Sequence, residues 1–334
     1  MKRYHVYALG NALVDMEFEV EDEFLTRMNI QKGFMTLVDQ LRQQELMAAL
    51  SIPHGRKACG GSAANTIIAA QYFGGQCFYS CKVANDESGQ FYLQDLAAAG
   101  VDTLNHVRET GITGSCLVFV TPDAERTMNT FLGITADVSS YEIDPNAIRD
   151  AQFAYLEGYL VTRPSARAAA IEVQNIARAQ GVKVAMTFSD PSMVTYFKEG
   201  IHEMLGSGVD LLFCNQEEAM TWAETSSLTE CITALKTVAQ QFVITLGAQG
   251  ALIYDGESLL EIPTYPAQPV DSNGAGDMFA GAYLYGITHG YTAAQAGHLA
   301  SRSAAQVVSQ FGPRLRPEQQ AMLLKEWRAD AKIF

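Results

Sequence analysis

Four short stretches of this chain carry side chains and glycines spaced for chemistry. The densest runs Pro269-Val270-Asp271-Ser272-Asn273-Gly274-Ala275-Gly276-Asp277-Met278. The apolar stretch from Met278 to Ile287 predicts a helix that starts here. Small residues ahead of it let backbone amides converge with no Cβ in the way. A helix N-terminus adds unpaired N–H groups and partial positive charge. The segment therefore suits an anion such as phosphate. Asp277 falls in the first turn, where a carboxylate can take a proton from a hydroxyl held beside that anion. A plainer reading is a capped helix after a glycine turn. The segment alone leaves both readings open.

The other three stretches are equally two-sided. Gly60-Gly61-Ser62-Ala63-Ala64-Asn65 is a second small-residue loop leading into a helix, with Ser62 placed as its cap. Cys214-Asn215-Gln216-Glu217-Glu218 puts Asn215 at the end of an apolar strand and Glu218 one turn later. Polar groups meet ligands at such strand ends in an open α/β sheet, but a helix cap with a solvated acidic turn fits as well. Thr245-Leu246-Gly247-Ala248-Gln249-Gly250 is a strand and a Gly-rich turn, which by itself reads as a hairpin.

In this order, the four motifs resemble those of the PfkB (ribokinase-like) family of carbohydrate and nucleoside kinases. Asp271 to Asp277 is similar to the family's C-terminal signature D-T-x-G-A-G-D, with Ser272 in place of Thr. Gly60, Gly61 and Asn65 match its N-terminal G-G-x-x-x-N signature. Asn215 to Glu218 matches its N-x-x-E motif. The resemblance runs from Gly10-Asn11-Ala12-Leu13-Val14-Asp15 to Gly312.

The resemblance implies roles for these residues. Asp277 would be the base that activates an acceptor hydroxyl. The amides of Asn273, Gly274, Ala275 and Gly276 would hold the transferring phosphoryl group. Asp15 would bind acceptor hydroxyls, with Asn11, Gly60, Gly61 and Asn65 beside it. Asn215, Thr245, Gly247 and Gly250 would border the nucleotide, and Glu218 would serve Mg2+ through water. Arg126 matches a lid arginine that reaches the phosphates. Asp271 matches a residue near a monovalent-cation site, so potassium activation is implied.

Within the family, Gly10 to Asp15, Glu157-Gly158-Tyr159-Leu160-Val161-Thr162 and Cys214 to Ala219 look closest to adenosine-kinase-like members. The implied reaction moves the γ-phosphoryl group of ATP to the 5′-hydroxyl of adenosine. Leu13, Met35, Leu37, Met128, Tyr159 and Leu160 are the candidate walls for an adenine ring. A sugar such as ribose or fructose is the alternative acceptor. A catalytically silent binding protein of the same fold is a third reading, and the intact Asp277 speaks against it.

Short apolar strands alternate with helical patterns along most of the chain. Tyr4–Leu9, Phe78–Val83, Phe153–Leu156, Val182–Phe188, Leu211–Cys214 and Phe242–Leu246 read as strands. Ala64–Phe73, Gly89–Ala99, Ser165–Gln180, Thr195–Leu205 and Leu228–Gln241 read as helices. The alternation predicts a three-layer α/β/α body with a mostly parallel sheet. Leu13–Val20, Ser115–Thr121 and Arg126–Phe131 break it, with Pro122-Asp123-Ala124 as a turn. They predict a small antiparallel β-rich lid, from about 12–38 and 112–134, inserted into a single domain spanning 1–334. Gly33, Gly111 and Gly114 lie where hinges would be needed.

Composition bounds the partners. Among 334 residues, 23 are basic and 37 acidic, a net charge of −14. Such a charge repels phosphate backbones, so nucleic acid is excluded as a general partner, while a local pocket can still hold a small anion. No apolar run reaches membrane-spanning length and no signal-peptide core follows the N-terminus, which predicts a cytoplasmic protein without a membrane partner. The six cysteines form no C-x-x-C pair, and Cys116 and Cys214, in apolar runs, read as core residues. G-x-G-x-x-G after the first strand, the P-loop, the G-x-S-x-G elbow and H-E-x-x-H are all absent, which removes the dinucleotide, P-loop and hydrolase classes. Monomer and homodimer both stay open.

Overall fold

The structure is a computed structural model and describes residues 2–50, 56–104, 109–123 and 125–330. Met1 and Ala124 of the expected turn lie outside the described residues. The chain begins with β1 (Tyr4–Leu9), β2 (Leu13–Glu19), α1 (Asp22–Arg27), β3 (Met35–Leu37), α2 (Gln40–Ala49), β4 (Arg56–Gly60) and α3 (Ser62–Tyr72). It continues through β5 (Cys77–Ser80), α4 (Glu87–Ala98), β6 (Asp102–Thr103), β7 (Thr113–Val120), β8 (Arg126–Gly133), α5 (Pro145–Arg149) and β9 (Ala151–Glu157). Then come α6 (Pro164–Ala179), β10 (Lys183–Thr187), α7 (Pro191–Leu205), β11 (Val209–Asn215), α8 (Gln216–Ala223), α9 (Leu228–Leu235) and β12 (Ala239–Thr245). The last elements are β13 (Ala251–Tyr254), β14 (Leu259–Ile262), α10 (Ala275–Thr288), α11 (Ala293–Val307) and α12 (Pro317–Asp330).

A nine-stranded sheet has the order β14-β13-β12-β11-β10-β9-β1-β5-β6. It is parallel from β12 to β6, and β13 and β14 join it antiparallel. Alternate residues of each strand face opposite layers. Val6, Ala8, Tyr155, Leu211 and Val243 pack toward α3, α10 and α11. Tyr7, Leu9, Leu156, Leu212 and Ile244 pack toward α6, α7 and α9. Both faces are therefore apolar, which is why these strands read as unbroken hydrophobic runs. Each fully buried large side chain contributes roughly 1.5–3 kcal/mol.

Two expectations are corrected. The helix starting at Leu228 ends at Leu235 rather than reaching Gln241. The turn of Lys236 to Val238 stops it, and Ala239–Thr245 pairs with β11 instead, with the Gln241 amide donating to the Asp255 carbonyl. The second sheet, of order β3-β8-β7-β2-β4, is mixed rather than antiparallel. Its β7–β8 and β2–β4 pairs are antiparallel, but β2–β7 and β3–β8 run parallel. Long stretches of chain separate the partners of each parallel pair, so no tight turn forces them to reverse. Strand β4, polar and short in sequence, was not among the expected pieces. Among the described residues, no helix is long and apolar enough to cross a membrane.

Candidate active site

The second sheet faces the carboxyl ends of β1, β9, β10, β11 and β12 across a cleft of about 650 Å³. Helices α3 and α10 begin at this cleft, and the expected residues gather there.

Helix α10 starts from Gly274, whose φ of +73° and contact with Pro313 (2.5 Å from an added Cβ) require glycine. Its opening amides divide into two groups. Asn273 N–H donates to Asp271 Oδ1 at 2.9 Å, and Ala275 N–H donates to the Ser272 carbonyl at 3.3 Å. The amides of Gly274, Gly276 and Asp277 meet no described acceptor. Within the expected cradle from Asn273 to Gly276, the amides without a described acceptor are those of Gly274 and Gly276, joined by that of Asp277. Nothing stands within 4 Å of a Cβ built on Gly276, so this helix end faces open space.

Asp277 sits in the first turn of α10. Its carboxylate accepts from Ser62 Oγ at 2.6 Å and from Asn65 Nδ2 at 3.1 Å. Burial pushes its pKa up to about 6, against the pull of those two bonds. It is therefore ionised at neutral pH and basic enough to take a proton. Ser62 does not cap α3, as expected of it; the N-cap is Gly61, and the Ser62 hydroxyl serves Asp277.

Asp15, on β2, is buried against Gly60 of β4. A Cβ on Gly60 would lie 2.0 Å from Asp15 Oδ1, so the close approach needs glycine. Burial raises the Asp15 pKa to about 7, opposed mainly by Arg314. Asn11 and Asn65 line the cleft with it. Glu157, at the end of β9, is fully buried and lines the same cleft. One of its oxygens accepts from Asn11 N–H and from Asn11 Nδ2, both at 2.7 Å; the other accepts from Ala63 N–H at 2.8 Å. Burial raises its pKa to about 7. Sequence reasoning gave Glu157 no role, although a polar residue ending an apolar strand was the very signal that singled out Asn215.

On the far side, Asn215 caps α8 in a capping box with Glu218. Glu218 N–H donates to Asn215 Oδ1 at 2.8 Å, and Glu218 accepts from Asn215 N–H at 2.9 Å. Glu218 is buried rather than solvated, and burial lifts its pKa to about 8. Thr245 and Gly247 line the cleft. Gly250 instead closes the β12–β13 hairpin, its carbonyl accepting from Leu246 N–H at 2.8 Å. Leu13, Met35, Leu37, Met128 and Tyr159 line the cleft as expected, but Leu160 belongs to the core beneath it.

Arg126, on β8, is buried and lines the cleft. Its Nη2 donates to Glu17 at 3.0 Å and to Asp271, while Nε and Nη1 have no partner. Asp271 also accepts from Gly312 N–H at 2.8 Å. Its carboxylate is thus ringed by three donors, one of them a guanidinium. That setting disfavours a cation bound directly to the carboxylate. No group of three or more metal-ligating side chains occurs among the described residues.

A buried carboxylate beside unpaired amides, with further side-chain oxygens around the same cleft, suits group transfer. The comparisons agree on its class. The model of the pfkB family of carbohydrate kinases matches residues 36–320, and the chain belongs to that family. It is 26% identical over 330 residues to an adenosine kinase of Saccharomyces cerevisiae, covering 91% of this chain and 95% of that one. A probable sugar kinase from Rhizobium etli has the same fold at a TM-score of 0.91, with 32% identity over 97% of this chain and 100% of that one. The adenosine kinase from Sinorhizobium meliloti superposes at a TM-score of 0.90, with 32% identity over 96% of this chain and 99% of that one. The fold is thus the expected ribokinase-like one, and the chain is a phosphotransferase acting on an alcohol, of the adenosine-kinase-like branch. Membership implies ATP as co-substrate and, typically, Mg2+.

Proposed function

We propose that this protein transfers the γ-phosphoryl group of ATP to the 5′-hydroxyl of adenosine. The observation that carries this reading is the meeting of the Asp277 carboxylate with three unpaired amides at one helix end. The acceptor hydroxyl gives its proton to Asp277 as its oxygen forms a bond to phosphorus, and the bond to the ADP oxygen breaks. The amides of Gly274, Gly276 and Asp277 meet the charge on the moving group, so alignment and fixed dipoles carry the rate. Asp15, Asn11 and Asn65 hold the other hydroxyls, and Leu13, Met35, Leu37, Met128 and Tyr159 flank the base.

The donor set fits Mg2+ held by water and phosphate: Glu218 is a hard oxygen ligand on the cleft wall, without the further carboxylates of a full protein cage. When bound, Mg2+ neutralises phosphate charge. A sugar acceptor is the second reading, favoured by the many oxygens at Asp15, Asn11 and Asn65 and by the likeness to a probable sugar kinase. ATP consumption measured with adenosine, inosine, ribose and fructose tests both readings. Turnover with adenosine well above ribose is expected; the reverse order selects the sugar reading, and no turnover with any of them overturns both.

A further inference from the structure

Among the described residues, Met35 and Met128 are the two methionines that line the cleft. They are cross-strand partners in the parallel β3–β8 pair, and neighbouring strands lie about 4.8 Å apart, so their thioethers sit side by side on one wall. Both are half-buried, with part of each side chain open to the cleft. Met128 rests on Cys116, Val118 and Val120 of β7, whereas Met35 packs against the apolar cluster of the body that holds Leu160. A thioether is a soft nucleophile and reacts with a peroxide without first losing a proton. Thiols react as thiolates. Burial pushes the Cys116 and Cys214 thiols of the same cleft up, so they stay inert. Met47 and Met322 are more exposed, but neither borders the cleft.

We propose that Met35 and Met128 are a paired oxidation site through which hydrogen peroxide weakens acceptor binding, and that a bound acceptor shields them. The sulfur lone pair forms an S–O bond as the peroxide O–O bond breaks. The departing hydroxide takes the proton left on the transferred oxygen, giving a sulfoxide and water; sulfur loses two electrons and the peroxide gains them. The sulfoxide places a polar S–O group beside Leu13 and Leu37, which offer it no hydrogen bond, so covering it with a ligand is costly. This rests on the reading above that the wall flanks the base of adenosine, and adds to it a chemical control on that surface.

The test treats the whole protein with hydrogen peroxide and follows kcat, KM for adenosine, KM for ATP and sulfoxide content by peptide mass spectrometry. KM for adenosine is expected to rise on the order of 10–100-fold as the peptides carrying Met35 and Met128 gain oxygen, with kcat and KM for ATP changed much less. Saturating adenosine during treatment should prevent both the rise and the modification at these two positions, but not the modification at Met47 or Met322. Methionine sulfoxide reductases should reverse the rise and dithiothreitol should not, which separates thioether from thiol oxidation. In Met35→Leu/Met128→Leu, peroxide should leave KM near that variant's own starting value, while Met47→Leu/Met322→Leu should respond as the wild type does. A rise that persists in Met35→Leu/Met128→Leu, Met35 and Met128 left unmodified, or an unchanged KM in wild-type protein carrying both sulfoxides would overturn the inference and leave the kinase reading intact. If thermal melting shows that Met35→Leu/Met128→Leu does not fold, the wild-type protein decides alone: a rise that adenosine does not prevent, or that dithiothreitol reverses, overturns it. Ribose preferred over adenosine by the untreated protein removes the base-binding reading and this inference with it.

Discussion

Helices α3 and α10 begin side by side, are built alike and end up opposite in character. Each starts from a glycine with positive φ, +96° at Gly61 and +73° at Gly274, and neither has a side-chain cap. At α3, the Ala63 amide is taken by the Glu157 carboxylate, while those of Ser62 and Ala64 meet no described acceptor. At α10, three amides stay unpaired and face the cleft. The same local chain geometry thus meets an internal anion in one place and none in the other. A glycine loop before a helix prepares an anion site, but whether the site is free depends on which carboxylates the rest of the fold brings to it.

The largest effect should come from the open end. Asp277→Asn is expected to lower kcat by on the order of 10²–10⁴ with little change in melting temperature. In the wild-type protein, log(kcat/KM) should fall on the acid side of pH 6, because the base works ionised and burial holds its pKa at about 6. A flat profile down to pH 5 would argue that Asp277 is not the base.

Closing α10 in the way α3 is closed is the most direct attack on the contrast. Gly276→Glu introduces a carboxylate where a Cβ meets nothing within 4 Å. The added charge competes with phosphate at the free amides, so kcat/KM for ATP should fall about 100-fold. Stability should hold or rise by about 0.3–1 kcal/mol, since an acidic residue suits a first helical turn. Loss of activity together with loss of stability would mean misfolding rather than closure.

A smaller effect is expected from pH on the ligand-free protein. Burial lifts Glu157 from 4.5 to about 7, Asp15 from 3.8 to about 7 and Glu218 from 4.5 to about 8. Between those limits the folded state binds more protons than the unfolded chain, so stability falls as pH rises. The melting temperature should be higher at pH 5.5 than at pH 8 by about 5 °C or more, on the usual scale of a few degrees per kcal/mol. Glu157→Gln should shrink that difference, whereas Asp22→Asn, at an exposed position, should not. The smallest effect is expected from the cation: replacing potassium by tetramethylammonium should alter the rate less than about twofold, because Arg126 already faces Asp271. Strong potassium activation would show that the cation binds beside that pair or displaces Arg126 from it.

The sequence was most legible where a single property decides the outcome. Parallel strands buried on both faces show as apolar runs whatever lies around them, so β1, β5 and β9 to β12 were placed to within a few residues, whereas the edge strands β6, β13 and β14 of the same sheet were not read. β4 was missed because its identity comes from pairing with β2, not from its own composition. The site was legible as a set of residue types, and most of them line the cleft, while Gly60, Gly250, Asp271 and Ala275 do not. Which amide is free was not legible. Asn273 is silenced by a carboxylate two residues away and Ala63 by one on a distant strand. Ser62 looked like a cap because its spacing allows it, but Gly61 is the N-cap, and Ser62, as the first helical residue, turns its hydroxyl to Asp277 instead.

The two sheets also divide the labour unequally. Of the apolar walls, Leu13, Met35, Leu37 and Met128 come from the second sheet and Tyr159 from the body, to which Asp277 and the free amides also belong. A lineage can therefore redraw one surface and leave the reactive centre as it was. For anyone re-engineering this protein toward a new acceptor, most of the mutable apolar alphabet is a handful of side chains on β2, β3 and β8.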